Sequence, residues 1–171
     1  MILRPLFTAT FLALATPALA ADFALFEMTG NWRGTGTIRA KLDHPAQDGR
    51  CRMQAVPIVT GQEMQLTGRC ATPQGASKLT MQFALHQGGV IAGGIASPSL
   101  PETLQFIGQI EGNIARLHSR APVTVDNQAG NITFTLTLLD PGTFDLVEWF
   151  QPEGTTPATQ LVRMRFQRGD E

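Results

Sequence analysis

The sequence predicts an all-β fold: an up-and-down antiparallel β-barrel of about ten strands, clasped by a disulfide between neighbouring strands. Apolar and polar residues alternate in short runs divided by Gly, Pro and Asn, the pattern of strands with one buried face. The connections between runs are short, so consecutive strands pair with each other. Two hairpins each sort their side chains into an apolar and a polar face at a single register, and a slip of one residue would exchange those faces. A sheet of this many sequentially paired strands must bury one face and remove its edges, and closure into a barrel does both. A two-sheet sandwich is the rival, but its crossovers need longer connections than most of these.

In chain order, a helical turn over Asp22 to Met28 precedes the strands and serves as a plug or cap. The strands then run Gly30 to Ala40, Arg50 to Val59, Gln62 to Thr72, Ser77 to Gln87, Val90 to Ser97, Thr103 to Glu111, Ile114 to Pro122, Asn131 to Leu139, Phe144 to Gln151 and Gln160 to Arg168. A two-residue turn at Thr60-Gly61 sets Cys51 opposite Cys70, Met53 opposite Gly68 and Ala55 opposite Leu66 on an apolar face. Arg52, Gln54 and Val56 then meet Arg69, Thr67 and Gln65 on the other face. The hairpin pair Gly112-Asn113 does the same for the sixth and seventh strands. Leu104, Phe106, Gly108 and Ile110 meet Ala121, Ser119, Leu117 and Ala115, while His118, Arg116 and Arg120 point outward.

Two turns are less decisive. Gly88-Gly89 sets Phe83 opposite Gly94 and Leu85 opposite Ala92, which leaves Ile91 and Ile95 on the outer face. Pro141-Gly142 suits a type II turn, which matches strand twist poorly. With two residues in that turn, Val147 and Trp149 face Leu136 and Phe134, and Glu148 points out beside Thr135. Phe144, Leu146 and Phe150 would then form an outer apolar patch. The other parity, reached through a bulge, buries Glu148 among those three residues as an acid of functional interest. The two-residue turn is the expected one.

The chain opens in the pattern of a secretory leader: Arg4, an apolar stretch from Leu6 to Ala15, then Thr16-Pro17 and the small-residue site Ala18-Leu19-Ala20. The apolar run is shorter than the ~20 residues of a membrane-spanning helix, and Pro17 interrupts its end. The expected organisation is a signal peptide over 1–20 and a single barrel domain over 21–171, periplasmic or secreted after cleavage near Ala20, with no membrane span in the mature chain. An exported chain suits a disulfide. Closing a loop of about 20 residues between Cys51 and Cys70 is worth ~3 kcal/mol in the chain-entropy model. A redox role would want a closer motif such as CxxC, and none is present.

A formal net charge of -1 leaves no global basic field, so nucleic acid is not an expected partner. Arg far outnumbers Lys, which is confined to Lys41 and Lys78, and Tyr is absent. That absence argues against a recognition surface built on Tyr. His44, His86 and His118 are scattered without ligand spacing, so no metal is expected. Ser77, Ser97, Ser99 and Ser119 lie in no G-x-S-x-G context and no spare thiol exists, so no catalytic residue and no enzyme activity are expected. Arg52 opposite Arg69, with Arg50 nearby, is a like-charge pair that costs some stability. A bound anion or acidic partner would compensate it, or the side chains simply splay into solvent.

The first strand carries GNWRGTGT, Gly30 to Thr37, with Trp32, Gly34, Gly36 and Ile38 on one face. This G-x-W-R-G-x-G motif resembles the barrel-closing signature of the calycin superfamily, and within it the nitrobindin-like and lipocalin-like barrels. The resemblance implies an up-and-down barrel in which Trp32 plugs one end, packed on an Arg of the final strand, Arg163 or Arg165. Nitrobindin-like barrels ligate haem through a C-terminal histidine. No histidine follows His118 here, so no cofactor is expected.

The expected role is a non-enzymatic binding protein that holds a small apolar or amphipathic ligand inside the barrel. Inward glycines at Gly34, Gly36, Gly68 and Gly108 leave volume opposite Met53, Leu66, Met81, Phe83, Phe106 and Phe134, the candidate ligand contacts. The same glycines would otherwise permit tight coiling around a filled core. The alternative role is a protein-binding module. Small periplasmic barrels with one disulfide resemble bacterial metalloprotease inhibitors, whose mobile N-terminal segment, here Ala21 to Thr29, engages the partner.

Overall fold

The computed structural model describes residues 24–154 and 157–169, so the leader pattern at 1–20 lies outside the described residues. Eleven strands form one antiparallel sheet: β1 (Gly30–Ile38), β2 (Gln47–Val59), β3 (Glu63–Thr72), β4 (Gly75–Leu85), β5 (Val90–Ala96), β6 (Leu104–Glu111), β7 (Ile114–Ser119), β8 (Val123–Val125), β9 (Gln128–Asp140), β10 (Thr143–Pro152) and β11 (Thr159–Arg168). Sequential neighbours pair from β1 to β7, then β7 pairs with β9, β9 with β10, β10 with β11, and β11 returns to β1. Ten strands thus close a barrel with no free edge. The eleventh, β8, is a three-residue strand added to the start of β9 beside that ring.

β8 falls in a stretch the alternation pattern leaves unassigned. It is too short to show a period, and its turn at Asp126-Asn127 holds both residues at positive φ (47° and 63°), the backbone of a tight I′-type hairpin. Asp126 also ties this hairpin across the barrel end: its Oδ2 accepts a hydrogen bond from the Leu42 amide at 2.6 Å. Val123, Val125, Leu42 and Leu100 pack there against the core. The opposite end is closed by the 3-10 turn Ala24–Glu27, which delivers Leu25, Phe26 and Met28 into the interior. These side chains are buried core residues, so this stretch of the expected arm over Ala21 to Thr29 is part of the fold; Ala21 to Phe23 lie outside the described residues.

Both well-signalled hairpins hold their expected register. Cys51 pairs with Cys70, Met53 with Gly68 and Ala55 with Leu66, and the register shifts only at Ile58, just before the Thr60-Gly61 turn. Gly108 pairs with Leu117 and Ile110 with Ala115. The other two turns correct the sequence reading. The β4–β5 loop takes three residues, Gln87–Gly89, with Gly88 and Gly89 both at positive φ. Phe83 therefore pairs with Gly93 and Leu85 with Ile91, and Ile91 and Ile95 turn inward, 0% and 8% exposed.

At the β9–β10 turn, Thr143 pairs with Asp140 but Phe144 with Leu138, so Leu139 is the extra residue of a bulge. That single insertion inverts the expected parity. Phe144, Leu146 and Phe150 point into the core, and no outer patch exists at these residues. Trp149 is on the outside, 40% exposed.

An apolar cavity around the Glu148 carboxyl

Alternation along β10 carries Glu148 inward with Phe144, Leu146 and Phe150. It pairs with Phe134 on β9 and Val162 on β11, beside a second bulge that leaves Leu161 unpaired. The space it faces is a cavity of about 200 Å³ running through the barrel interior. Met53, Leu66, Met81, Phe83 and Phe134 line it, together with the Cys51–Cys70 disulfide. Phe106, the sixth candidate contact, is not among the lining residues. It is fully buried and packs its ring against the far side of Phe134, centroids 6.2 Å apart. Leu25 from the floor and Phe144 and Phe166 from β10 and β11 complete the lower wall.

Glu148 is the sole charged one of the described residues lining this cavity. Among the described residues it has no hydrogen-bond or ion-pair partner. Burial alone pushes its carboxyl up from the usual 4.5 to about 7, because no nearby cation or donor favours the ionised form. The carboxyl on the outer face of the same strand behaves in the opposite way. Asp145 accepts two hydrogen bonds from Arg165, each 2.7 Å, and this pairing holds its carboxyl below the ordinary range.

The inward glycines do not supply the cavity's volume. The Phe166 ring lies over Gly34, where a Cβ would come within 2.6 Å of it. A Cβ at Gly36, Gly68 or Gly108 would collide with a backbone carbonyl of the adjacent strand, from Arg163, Arg52 and Arg116 respectively. These positions permit close strand coiling, the second of the two roles that the sequence allowed. The space arises instead because the wall is built from flexible or narrow side chains such as Met53, Met81, Met164 and the disulfide.

Trp32 is 1% exposed and sits edge-on to Phe144, ring centroids 5.1 Å apart. The guanidinium over its ring belongs to Arg168, 5.2 Å from the centroid. Arg163 and Arg165 are corrected here: both are outward on β11, where alternation alone places them, and Arg165 is committed to Asp145. Arg168 reaches the indole because Trp32 pairs with it directly across β1 and β11. This was legible only with the β11 register in hand.

Neither a protein-family model nor a curated protein matches this chain.

On the outer face the like-charge pair extends into a row. Arg33 pairs with Arg52, Arg52 with Arg69, and Arg69 with Lys78, so four exposed cations lie side by side across β1 to β4. None of the four has an ion-pair partner among the described residues. The three histidines are exposed and far apart in the chain, and no cluster of potential metal ligands occurs among the described residues.

Proposed function

We propose that this protein is an exported, non-enzymatic binding barrel of calycin-like type that holds one small apolar or amphipathic ligand in its interior. The observation that carries the reading is the almost wholly apolar cavity of about 200 Å³ in the barrel interior. An engineered apolar cavity of roughly 150 Å³ stays dry and takes up benzene, so this space suits a single ring or a short branched chain with one small substituent. Concave, apolar sites with few polar groups are the usual form of small-molecule pockets, and this one lies at the smaller end.

The leader pattern ending at Ala20 and the Cys51–Cys70 disulfide support a periplasmic or secreted location, since disulfides persist in oxidising compartments. The G-x-W-R-G-x-G motif supports the calycin-like assignment, as does the up-and-down closure with Trp32 buried at one end.

The test uses the methionines as reporters. With ¹³C-labelled methyl groups and toluene as the probe, Met53, Met81 and Met164, which line the cavity, should shift on titration. Met64, buried in the core but not lining the cavity, should stay in place. Saturating toluene with no movement of the three lining methyls would remove the binding-barrel reading. Native mass spectrometry of protein purified from the periplasm would give the mass of any natural ligand retained.

A further inference from the structure

We propose that the ligand is a small amine on an apolar body, bound as its ammonium form with the cationic group against Glu148. This rests on the binding-barrel reading and specifies the chemistry of its site. The half-buried Glu148 side chain presents its carboxyl to a cavity walled by Phe134, Leu146, Val162 and their neighbours, where no donor or cation of the described residues meets it. An acid aimed into an otherwise apolar cavity, with no protein cation beside it, is a ready anchor for a ligand that brings a positive donor.

The chemistry of the wall selects among ligand types. Among the described residues no Arg, Lys or His lines the cavity, so an anionic ligand would place a second negative charge beside Glu148 with no counter-ion. A carboxylate ligand would therefore bind only with uptake of a proton shared between it and Glu148, the opposite sign of proton exchange from an ammonium. A pure hydrocarbon fits the apolar wall but leaves the carboxyl unsatisfied. A neutral alcohol satisfies one lone pair and leaves the charge uncompensated. An ammonium donates up to three hydrogen bonds and neutralises the charge in the same contact, and charge-assisted bonds of this kind are the strong ones.

A second unpartnered acceptor lies at the same end of the barrel. Gln47 Oε1 is buried without a hydrogen bond, on the residue paired with Ile38, and Ile38 lines the cavity next to Val162. The other buried unpartnered side-chain atom among the described residues is a donor, Trp32 Nε1, at the opposite end of the barrel; beside the carboxyl, the unpartnered atom is an acceptor, which suits a ligand that brings donors. On binding, Glu148 gives up whatever proton it holds to solvent and receives hydrogen bonds from the ammonium, so no covalent step is involved.

The test compares three ring compounds of nearly equal size on the full mature protein: toluene, benzylammonium and benzoate. Methionine methyl shifts at Met53, Met81 and Met164 report occupancy of the cavity for each. Benzylammonium should bind at least tenfold more tightly than benzoate, and Glu148→Gln should weaken benzylammonium at least tenfold while leaving toluene affinity within about twofold. A measurement that needs no variant accompanies it. Calorimetry of benzylammonium binding near pH 7 in two buffers of different ionisation enthalpy should show release of roughly half a proton, since the carboxyl is near its titration midpoint there before binding.

If toluene binds but benzylammonium does not, or binds with no proton release and no sensitivity to Glu148→Gln, the amine assignment is overturned and the binding barrel stands. Failure of all three probes to move the lining methyls would sink the barrel reading itself.

Discussion

Replacing Glu148 with Gln removes a titratable group from the barrel interior while keeping its shape, and the consequence for stability is calculable. The carboxyl titrates at about 7 in the folded protein and near its usual 4.5 when unfolded. The folded state therefore holds a proton that the unfolded chain releases throughout that interval. Linkage then requires stability to fall as pH rises: the contribution is fully present below about 4.5 and is lost by the time pH passes about 7. A difference of about 2.5 units at 1.36 kcal/mol per unit is roughly 3 kcal/mol.

Urea denaturation of both proteins between pH 4.5 and pH 8.5 measures it. The difference in unfolding free energy between the native protein and Glu148→Gln should change by ~3 kcal/mol across the range, in favour of the variant at high pH. For a domain of this size that corresponds to a relative shift in Tm of about 6–12 °C. His44, His86 and His118 are present in both proteins and cancel in the difference. Asp145, held low by Arg165, acts with the opposite sign and only in the acid range, where its contribution is lost as pH falls through its folded value. A difference that stays constant within ~0.5 kcal/mol would show that water or a counter-charge reaches Glu148, and the lone-carboxylate description would be wrong.

Three further outcomes follow from the packing. Trp32→Ala should destabilise by about 3–5 kcal/mol, the usual range for truncating a buried aromatic, as read by chemical denaturation; a loss under 1 kcal/mol would mean that the plug is not packed as described. Cys51→Ala/Cys70→Ala should lose roughly 3 kcal/mol through loop closure and also widen the cavity wall, so Met53 and Met81 methyl resonances should broaden. Arg69→Thr breaks the row of four cations and should stabilise the protein by a few tenths of a kcal/mol at low salt, an effect that vanishes near 0.5 M salt, where the screening length falls to roughly 4 Å; destabilisation at low salt would mean that the row is held by an anion.

Legibility of the fold followed the strength of the turn signals. Gly112-Asn113 leaves one choice of loop, and Thr60-Gly61 is corroborated by a cysteine on each side at the same distance, so both registers were readable from the chain. Gly88-Gly89 was not. Two consecutive glycines accommodate either a two- or a three-residue loop, and no neighbouring residue type decides between them. The candidate site was legible in part for the same reason. The wall residues on β2, β3 and β4 lie where the alternation is unambiguous, while those on β10, the carboxyl among them, depend on a bulge at Leu139 that no local residue type announces.

A stronger inference about that carboxyl was available from spacing alone. Asp145 and Glu148 are three residues apart on one strand, and successive side chains of a strand point to opposite faces. Any regular pairing of β10 must therefore bury one of the two, so an outward Glu148 would have placed Asp145 inside with Val147 and Trp149. The preference for keeping charge outside was no guide, since each parity violates it once. What separates them is the company each acid keeps. The observed parity buries two Phe and one Leu, each worth ~1.5–3 kcal/mol against exposure, and lets Asp145 meet Arg165 on the outer face. The acid left inside is the longer one, whose carboxyl reaches past the strand into the cavity. A barrel wall that must carry one interior carboxylate has placed it facing the apolar cavity, where no cation of the described residues meets it.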